Sequence, residues 1–179
     1  MKKAFIEQQI DLRDGRTVTL RAVQADDVDR FLGFFAGLSA QSKDYMHGWS
    51  AVGSREHAEG MVGKMTSTDH TAIVAVTPDD RVAGYCWLDG LESADMPMLG
   101  IGIIDAYHEA GLGRVLLRTM IGHAGDMGYP KVRLGVFTDN ARAVHVYRAV
   151  GFVDDPVMPA KDFDGRTELY MVVETGRGG

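Results

Sequence analysis

A chain of 179 residues with a formal charge of −6, 45% hydrophobic residues and one cysteine has the size of one domain with its own core, and the lone Cys86 excludes an internal disulfide. The acidic balance argues against a protein held by duplex phosphates, and no apolar run reaches the ~18 residues of a membrane span or forms a signal sequence after Met1. The expectation is one cytoplasmic domain over residues 1–179, with no nucleic-acid or membrane partner and a tail that frays over 176–179.

Asp14-Gly15 marks a turn, and the near-alternating stretch from Thr17 to Val23 predicts a first strand with a hairpin-like entry. Asp26 or Asp27 is placed to cap a helix through Val28, Phe31, Leu32 and Phe35 that ends at Gly37, and a second helix is predicted over 55–65. Two strands, 71–77 and 82–88, pair across the turn Pro78-Asp79-Asp80-Arg81. The apolar run from Met98 to Ile104 predicts a strand buried on both faces, whose glycines admit another chain or a ligand. Gly111-Leu112-Gly113 then opens a helix with Val115, Leu116, Thr119, Met120 and Ala124 at helical spacing, stopped by Gly128-Tyr129-Pro130. A strand over 131–137, a helix capped by Asn140 and ended by Gly151, a strand opened by Phe152-Val153 and a last strand over 167–174 follow. The sum is a mixed α/β (α+β) sheet of about six to seven strands with about four helices, without internal repeat or linker. In such a sheet a ligand sits where a glycine-rich turn meets the next helix.

That turn is His108-Glu109-Ala110-Gly111-Leu112-Gly113-Arg114. Inward-folded amides and the positive end of a helix make it an anion cradle suited to a pyrophosphate. Arg114-Val115 follow Gly113 where a P-loop carries Lys-Ser/Thr, and Leu116 stands where a dinucleotide fingerprint has its third glycine, so kinase-type and Rossmann sites are disfavoured. The six histidines form no His-x-x-x-His pair and no second cysteine is near, so no metal is expected. Cys86, between Tyr85 and Trp87, reads as a small buried hydrophobe. By spacing alone Tyr147 reads as a core aromatic, and Asn140 is a helix N-cap in any reading. Phe31, Phe34, Phe35, Tyr45, Met46 and Trp49 fit core packing or a dimer contact.

A second block, from Asn140 to Phe152, lies one strand after the first. Through His108-x-x-Gly111-x-Gly113, Asn140, Tyr147 and Gly151-Phe152 the two blocks resemble the GNAT superfamily of acetyl-CoA-dependent N-acetyltransferases. Asp14 to Arg21 and Phe34 to Ser39 are similar to GNAT domains of the protein-lysine acetyltransferase type. The resemblance implies a GNAT fold with strands splayed at the acetyl-CoA site, and transfer of acetyl to a primary amine by direct attack in a ternary complex. The acceptor class it leaves open is a small amine or amino acid, or a protein lysine or N-terminus; the resemblance also implies an acceptor wall from the first two helices as a reading of Phe31, Phe34, Phe35, Tyr45, Met46 and Trp49 equal to core packing or dimer contact, and homodimers are common among such proteins. Acetyl-CoA contacts fall by resemblance on Ile101, Gly102, Ile103, Ile104, His108, Glu109, Ala110, Gly111, Leu112, Gly113, Arg114, Asn140 and Tyr147. The pyrophosphate is then held by the amides of Leu112, Gly113 and Arg114, the pantetheine runs along 101–104, and Tyr147 protonates the leaving thiolate.

Attack on a thioester needs a neutral amine, of which only about 10⁻³ or less exists at pH 7 for a pKa near 10.4, a cost of roughly 4–5 kcal/mol. A general base relieves that cost. Many relatives place Glu early in the central strand, where this chain has Met98-Leu99; Glu92, Asp95 and Glu109 are the remaining acidic candidates. The missing acid also motivates the alternative of an acyl-CoA-binding regulator without turnover, while a nucleotide-phosphate binder is disfavoured by the motif.

Overall fold

A computed structural model describes residues 4–46, 53–163 and 165–176. Alternation of side chains builds its first hairpin, β1 (Gln8–Asp11) on β2 (Thr17–Ala22), in which Val18 and Leu20 are buried and their neighbours are not. Helices α1 (Val28–Ala36), α2 (Ala40–Asp44) and α3 (Arg55–Met65) follow, then the antiparallel strands β3 (His70–Val76), β4 (Val82–Asp89) and β5 (Met98–Ile103). A 3₁₀ segment (Asp105–Ala110) leads into α4 (Leu112–Asp126), β6 (Lys131–Phe137), α5 (Ala141–Ala149), β7 (Val153–Asp154), β8 (Lys161–Phe163) and β9 (Arg166–Glu174). The sheet runs β1-β2-β3-β4-β5-β6-β9-β7, with β8 on β9. The pair β5–β6, joined through α4, is parallel, and the other pairings are antiparallel.

Two cores lie on opposite faces. Ile73, Cys86, Leu99, Leu134 and Met171 pack under α4, which contributes Leu112, Leu116, Leu117 and Met120, while Phe31, Phe34 and Phe35 of α1 meet Val74 and Tyr85 on the other face. Phe31 and Phe34 stand edge-on to Tyr85 at 5.2 and 5.3 Å between ring centroids. These rings are core packing, each worth about 1.5–3 kcal/mol of burial, and form no acceptor wall.

Asp27 occupies the predicted cap position of α1, but its fully buried carboxylate accepts from the Gln24 amide at 2.8 Å and from Arg21 and Arg30 at 2.6 and 3.2 Å. Burial alone would raise this carboxyl; the arginines and the amide hold it below the ordinary value instead. Among the described residues there are nine strands and five α-helices, against the expected six to seven and about four. The extra elements carry no periodic apolar signal: α2 reads AQSKD with no buried residue, and β8 reads KDF, fully exposed. Helix α2 starts because Ser39 caps the Ser42 amide and Asp105, 66 residues on, accepts from the Ser39 amide at 2.7 Å. Among the described residues no helix is long and apolar enough to cross a membrane.

Candidate functional site

Strand β5 pairs with β4 from Met98↔Asp89 through Ile103↔Gly84, but with β6 at the single position Met98↔Arg133. Beyond that pair the two parallel strands part. Because the Ile104 amide donates to Ala83 of β4 at 3.0 Å and backbone groups alternate along a strand, Ile101 and Ile103 aim theirs into the gap; Gly135 does so from β6. The open flank explains why β5 is only half-buried along most of its length, where burial on both faces was expected. Its glycines also have a packing role. A Cβ at Gly100 would collide with the Trp87 indole and one at Gly102 would lie 2.6 Å from the Tyr85 ring, so they seat cross-strand aromatics of β4.

The gap opens into a cleft of about 570 Å³ lined by Ile101, Gly102, Ile103, His108, Glu109, Gly111, Gly113, Arg114, Asn140 and Tyr147. Three residues named with them turn their side chains elsewhere. Ile104 packs against Gly37, whose lack of a Cβ it requires, while Ala110 and Leu112 are core residues, so only their backbone is available to a ligand.

Gly111 adopts a left-handed conformation (φ 85°) that side chains resist, and this turns the chain from the 3₁₀ segment into α4. The amides of Leu112, Gly113 and Arg114 occupy the first turn of the helix, where no carbonyl lies four residues back, at its positive end. The β1–β2 turn braces this cradle from afar: Arg13 donates to Glu109 O at 3.0 Å and, by its amide, to Ala110 O at 3.2 Å. Arg16 donates to Ala106 O at 2.9 Å and stacks 3.7 Å over Tyr107. Arg13, Arg114 and Arg142 all line the cleft, concentrating cations on an acidic chain. His108 is bonded through Nε2 to Ile103 O at 3.1 Å, while Arg142 approaches its Nδ1. Arg13 and Arg142 were not singled out in the sequence, because the partners that place them are 96 and 34 residues away.

Tyr147 combines both readings of its position. Its ring packs at 5.8 Å against Phe152 and is 9% exposed, yet it lines the cleft. Burial pushes its phenol well above the ordinary value, so the group carries its proton at neutral pH. Asn140 caps α5, accepting from the Ala143 amide at 3.2 Å, and also lines the cleft. Of the acidic candidates, Glu109 lines the cleft, whereas Glu92 and Asp95 are exposed in the β4–β5 connection at the paired end of β5 and do not. Tyr45 and Met46 line it as well, and Trp49 lies outside the described residues. Burial pushes the Cys86 thiol up, which suits a core residue. Asp69, His70 and Asp89 bring ligand-type atoms within 4.8 Å of one another, a cluster that linear spacing misses; His70 Nε2 there faces Asp89 at 2.7 Å.

Comparison with known proteins places this geometry. A model of the acetyltransferase (GNAT) family matches residues 33–152. A mycothiol acetyltransferase of Jonesia denitrificans is 33% identical over 86 residues, 47% of this chain and 27% of that protein. Streptothricin acetyltransferase of Streptomyces lavendulae is 29% identical over 129 residues, 66% of this chain and 65% of that one. An uncharacterized N-acetyltransferase of Mycobacterium tuberculosis matches at 31% identity over 81 residues, 45% of this chain and 52% of that protein. The chain thus spans about a quarter to a half of the first and third of these relatives. Among solved structures, the GNAT domain of S. lividans PAT superposes with TM-score 0.75 at 21% identity, covering 93% of this chain and 97% of that one. Spermidine N-acetyltransferase from Vibrio cholerae in complex with CoA and spermine superposes with TM-score 0.72 at 18% identity, covering 89% and 96%. The fold, with its sheet opened beside a glycine turn, and the family match over most of its length agree: the chain belongs to the acetyltransferase (GNAT) family.

Proposed function

We propose that the chain moves the acetyl group of acetyl-CoA to a primary amine by direct attack, with both substrates bound at once. The observation that carries this reading is the one-sided opening of β5. Backbone groups of Ile101 and Ile103 to which β6 offers no strand partner, the Ile103 carbonyl bonded by His108, face that of Gly135 across a gap whose mouth holds the α4 amides, which suits an amide-bearing chain ending in a pyrophosphate. In this reading Leu112, Gly113 and Arg114 hold the pyrophosphate through their amides, with Arg13 and Arg142 beside them. Tyr147, a protonated phenol in the cleft, gives its proton to the departing thiolate. A cytoplasmic setting fits an acetyl-CoA user with a reduced Cys86.

The acceptor is an amine of a small molecule or of a protein. Proteins of the same fold are named for both kinds, spermidine in one and a ribosomal-protein-S5 alanine in another, the latter superposing with TM-score 0.79 at 11% identity. The test is release of free thiol from acetyl-CoA in the presence of spermidine, glucosamine, a peptide with N-terminal alanine and an N-blocked lysine peptide. Turnover that Tyr147→Phe lowers by about 100-fold or more, with acetyl-CoA affinity kept, is the expected result. Tight acetyl-CoA binding without turnover of any of these amines would replace this reading by that of a regulator.

A further inference from the structure

The transfer needs a proton acceptor, and the groups that line the cleft with Tyr147 are poorly placed for it: Glu109 lies out on the 3₁₀ segment of the cradle, Asp139 is held by Arg166 at 2.9 Å, His108 is bonded to Ile103 O and His145 is exposed on α5. The other face of the sheet offers a different carboxylate. Along β6, Leu134 and Val136 point into the core under α4, so Gly135 faces the opposite side; along β9, Leu169 and Met171 do the same, so Glu168 and Tyr170 share that side with Gly135. There Oε1 of Glu168 overlies Gly135 so closely that a Cβ would collide with it, while Oε2 accepts from the Tyr170 hydroxyl at 2.7 Å. Gly135 lies two residues past Arg133, as Gly100 lies two past Met98, and Met98↔Arg133 is the last pair before the strands part. Gly100 is crossed on the same side by the Trp87 indole. At one level of the opening, then, two glycines flank the gap, with an aromatic ring across one and a carboxylate across the other.

We propose that the acceptor amine enters on this face and that Glu168 binds its ammonium and takes its proton. The inference rests on the acetyl-transfer reading and names its missing base. A carboxylate and an indole ring on the two sides of one opening are groups that hold an alkylammonium. Met98 lies on the same side of the sheet and has no proton acceptor to offer. The ammonium gives one proton to Glu168, which releases it to solvent; the nitrogen lone pair forms the N–C bond to the acetyl carbon as the C–S bond breaks. Tyr147 protonates the sulfur from the opposite face, and the second nitrogen proton restores its phenol. Among the described residues, the charged or titratable groups that face Glu168 are Lys161, its register partner on β8, and Tyr170 and Arg166 on its own strand. The groups of β6 beside it, Gly135 and Phe137, do not titrate.

The experiment compares wild type, Glu168→Gln and Tyr170→Phe on the four amines above, with acetyl-CoA binding measured separately by calorimetry. Glu168→Gln is expected to keep acetyl-CoA affinity and to lose about 100-fold in kcat/KM for the amine at pH 7. That deficit should narrow by up to about tenfold per pH unit toward the amine's own pKa, where the neutral form is supplied by the medium. Tyr170→Phe should show a smaller loss of the same kind. Wild-type turnover with Glu168→Gln unimpaired, or with a deficit that does not move with pH, overturns the assignment and leaves acetyl transfer standing. Absence of wild-type turnover on every amine overturns both.

Discussion

Strand β5 has two neighbours and treats them in opposite ways. Toward β4 it is zipped along its whole length, with Trp87 and Tyr85 laid over Gly100 and Gly102. Toward β6 it is joined once and then left open, with the backbone of Ile101 and Ile103 facing a cleft. A backbone polar group buried without a partner costs about 1–3 kcal/mol, so an open flank is tolerated where water or a ligand completes it. One flank therefore bears the stability of the fold and, in the proposed reading, the other bears its binding, and substitutions on the two sides should separate these properties.

The largest effect is expected on the zipped half. Asp27→Ala strips Arg21 and Arg30 of their buried partner and should lower unfolding free energy by about 3 kcal/mol in urea titration, while acetyl-CoA affinity of the folded protein is kept. Next comes the open flank. Gly113 sits where a Cβ would lie 3.1 Å from Ile103 and 3.7 Å from Val146, and Gly113→Trp should cost about 100-fold in acetyl-CoA affinity, near 2.7 kcal/mol by calorimetry. Its urea midpoint should move far less than that of Asp27→Ala. Gly102→Ala drives a methyl into the Tyr85 ring and should destabilise by about 1–3 kcal/mol, a packing loss on the paired side.

A smaller effect follows from pH. Asp27, Asp105 and Asp155 are all held low in the folded chain, against burial, by their hydrogen bonds and by the cations beside them. A carboxyl with a lower value folded than unfolded stabilises fully above its unfolded value, 3.8, and loses that contribution as pH falls through the folded one. The urea midpoint should hold to about pH 5 and drop below about pH 4. Neutralising Asp155 by substitution, which releases Arg133 at the last β5–β6 pair, should flatten part of that drop.

Much of this molecule was legible before its structure. The long elements were, because apolar spacing reports which face of a strand or helix is buried: the predicted helix over 55–65 is α3, and the strand over 131–137 is β6. Gly111, Gly113 and Asn140 stood out because turn and capping chemistry is local, completed within a few residues. Helix α2 and strand β8 did not, since each depends on partners supplied from elsewhere in the chain. The glycines of β5 are read as admitting another chain or a ligand; rings of the neighbouring strand cross both, while Gly102 also lines the cleft, and the motif does not record which residue comes opposite.

By itself the sequence determined a mixed α/β architecture, a glycine turn at the start of a helix, and the family to which these motifs belong, because those properties are written in local spacing and composition. Only the tertiary structure decided that β5 and β6 part after one pair, that Arg13 and Arg142 reach the cradle, and that Glu168 crosses Gly135 beside the opening. Each of these is set by strand register and long-range contact. A register shifted by one residue leaves the sequence unchanged and turns every side chain to the other face.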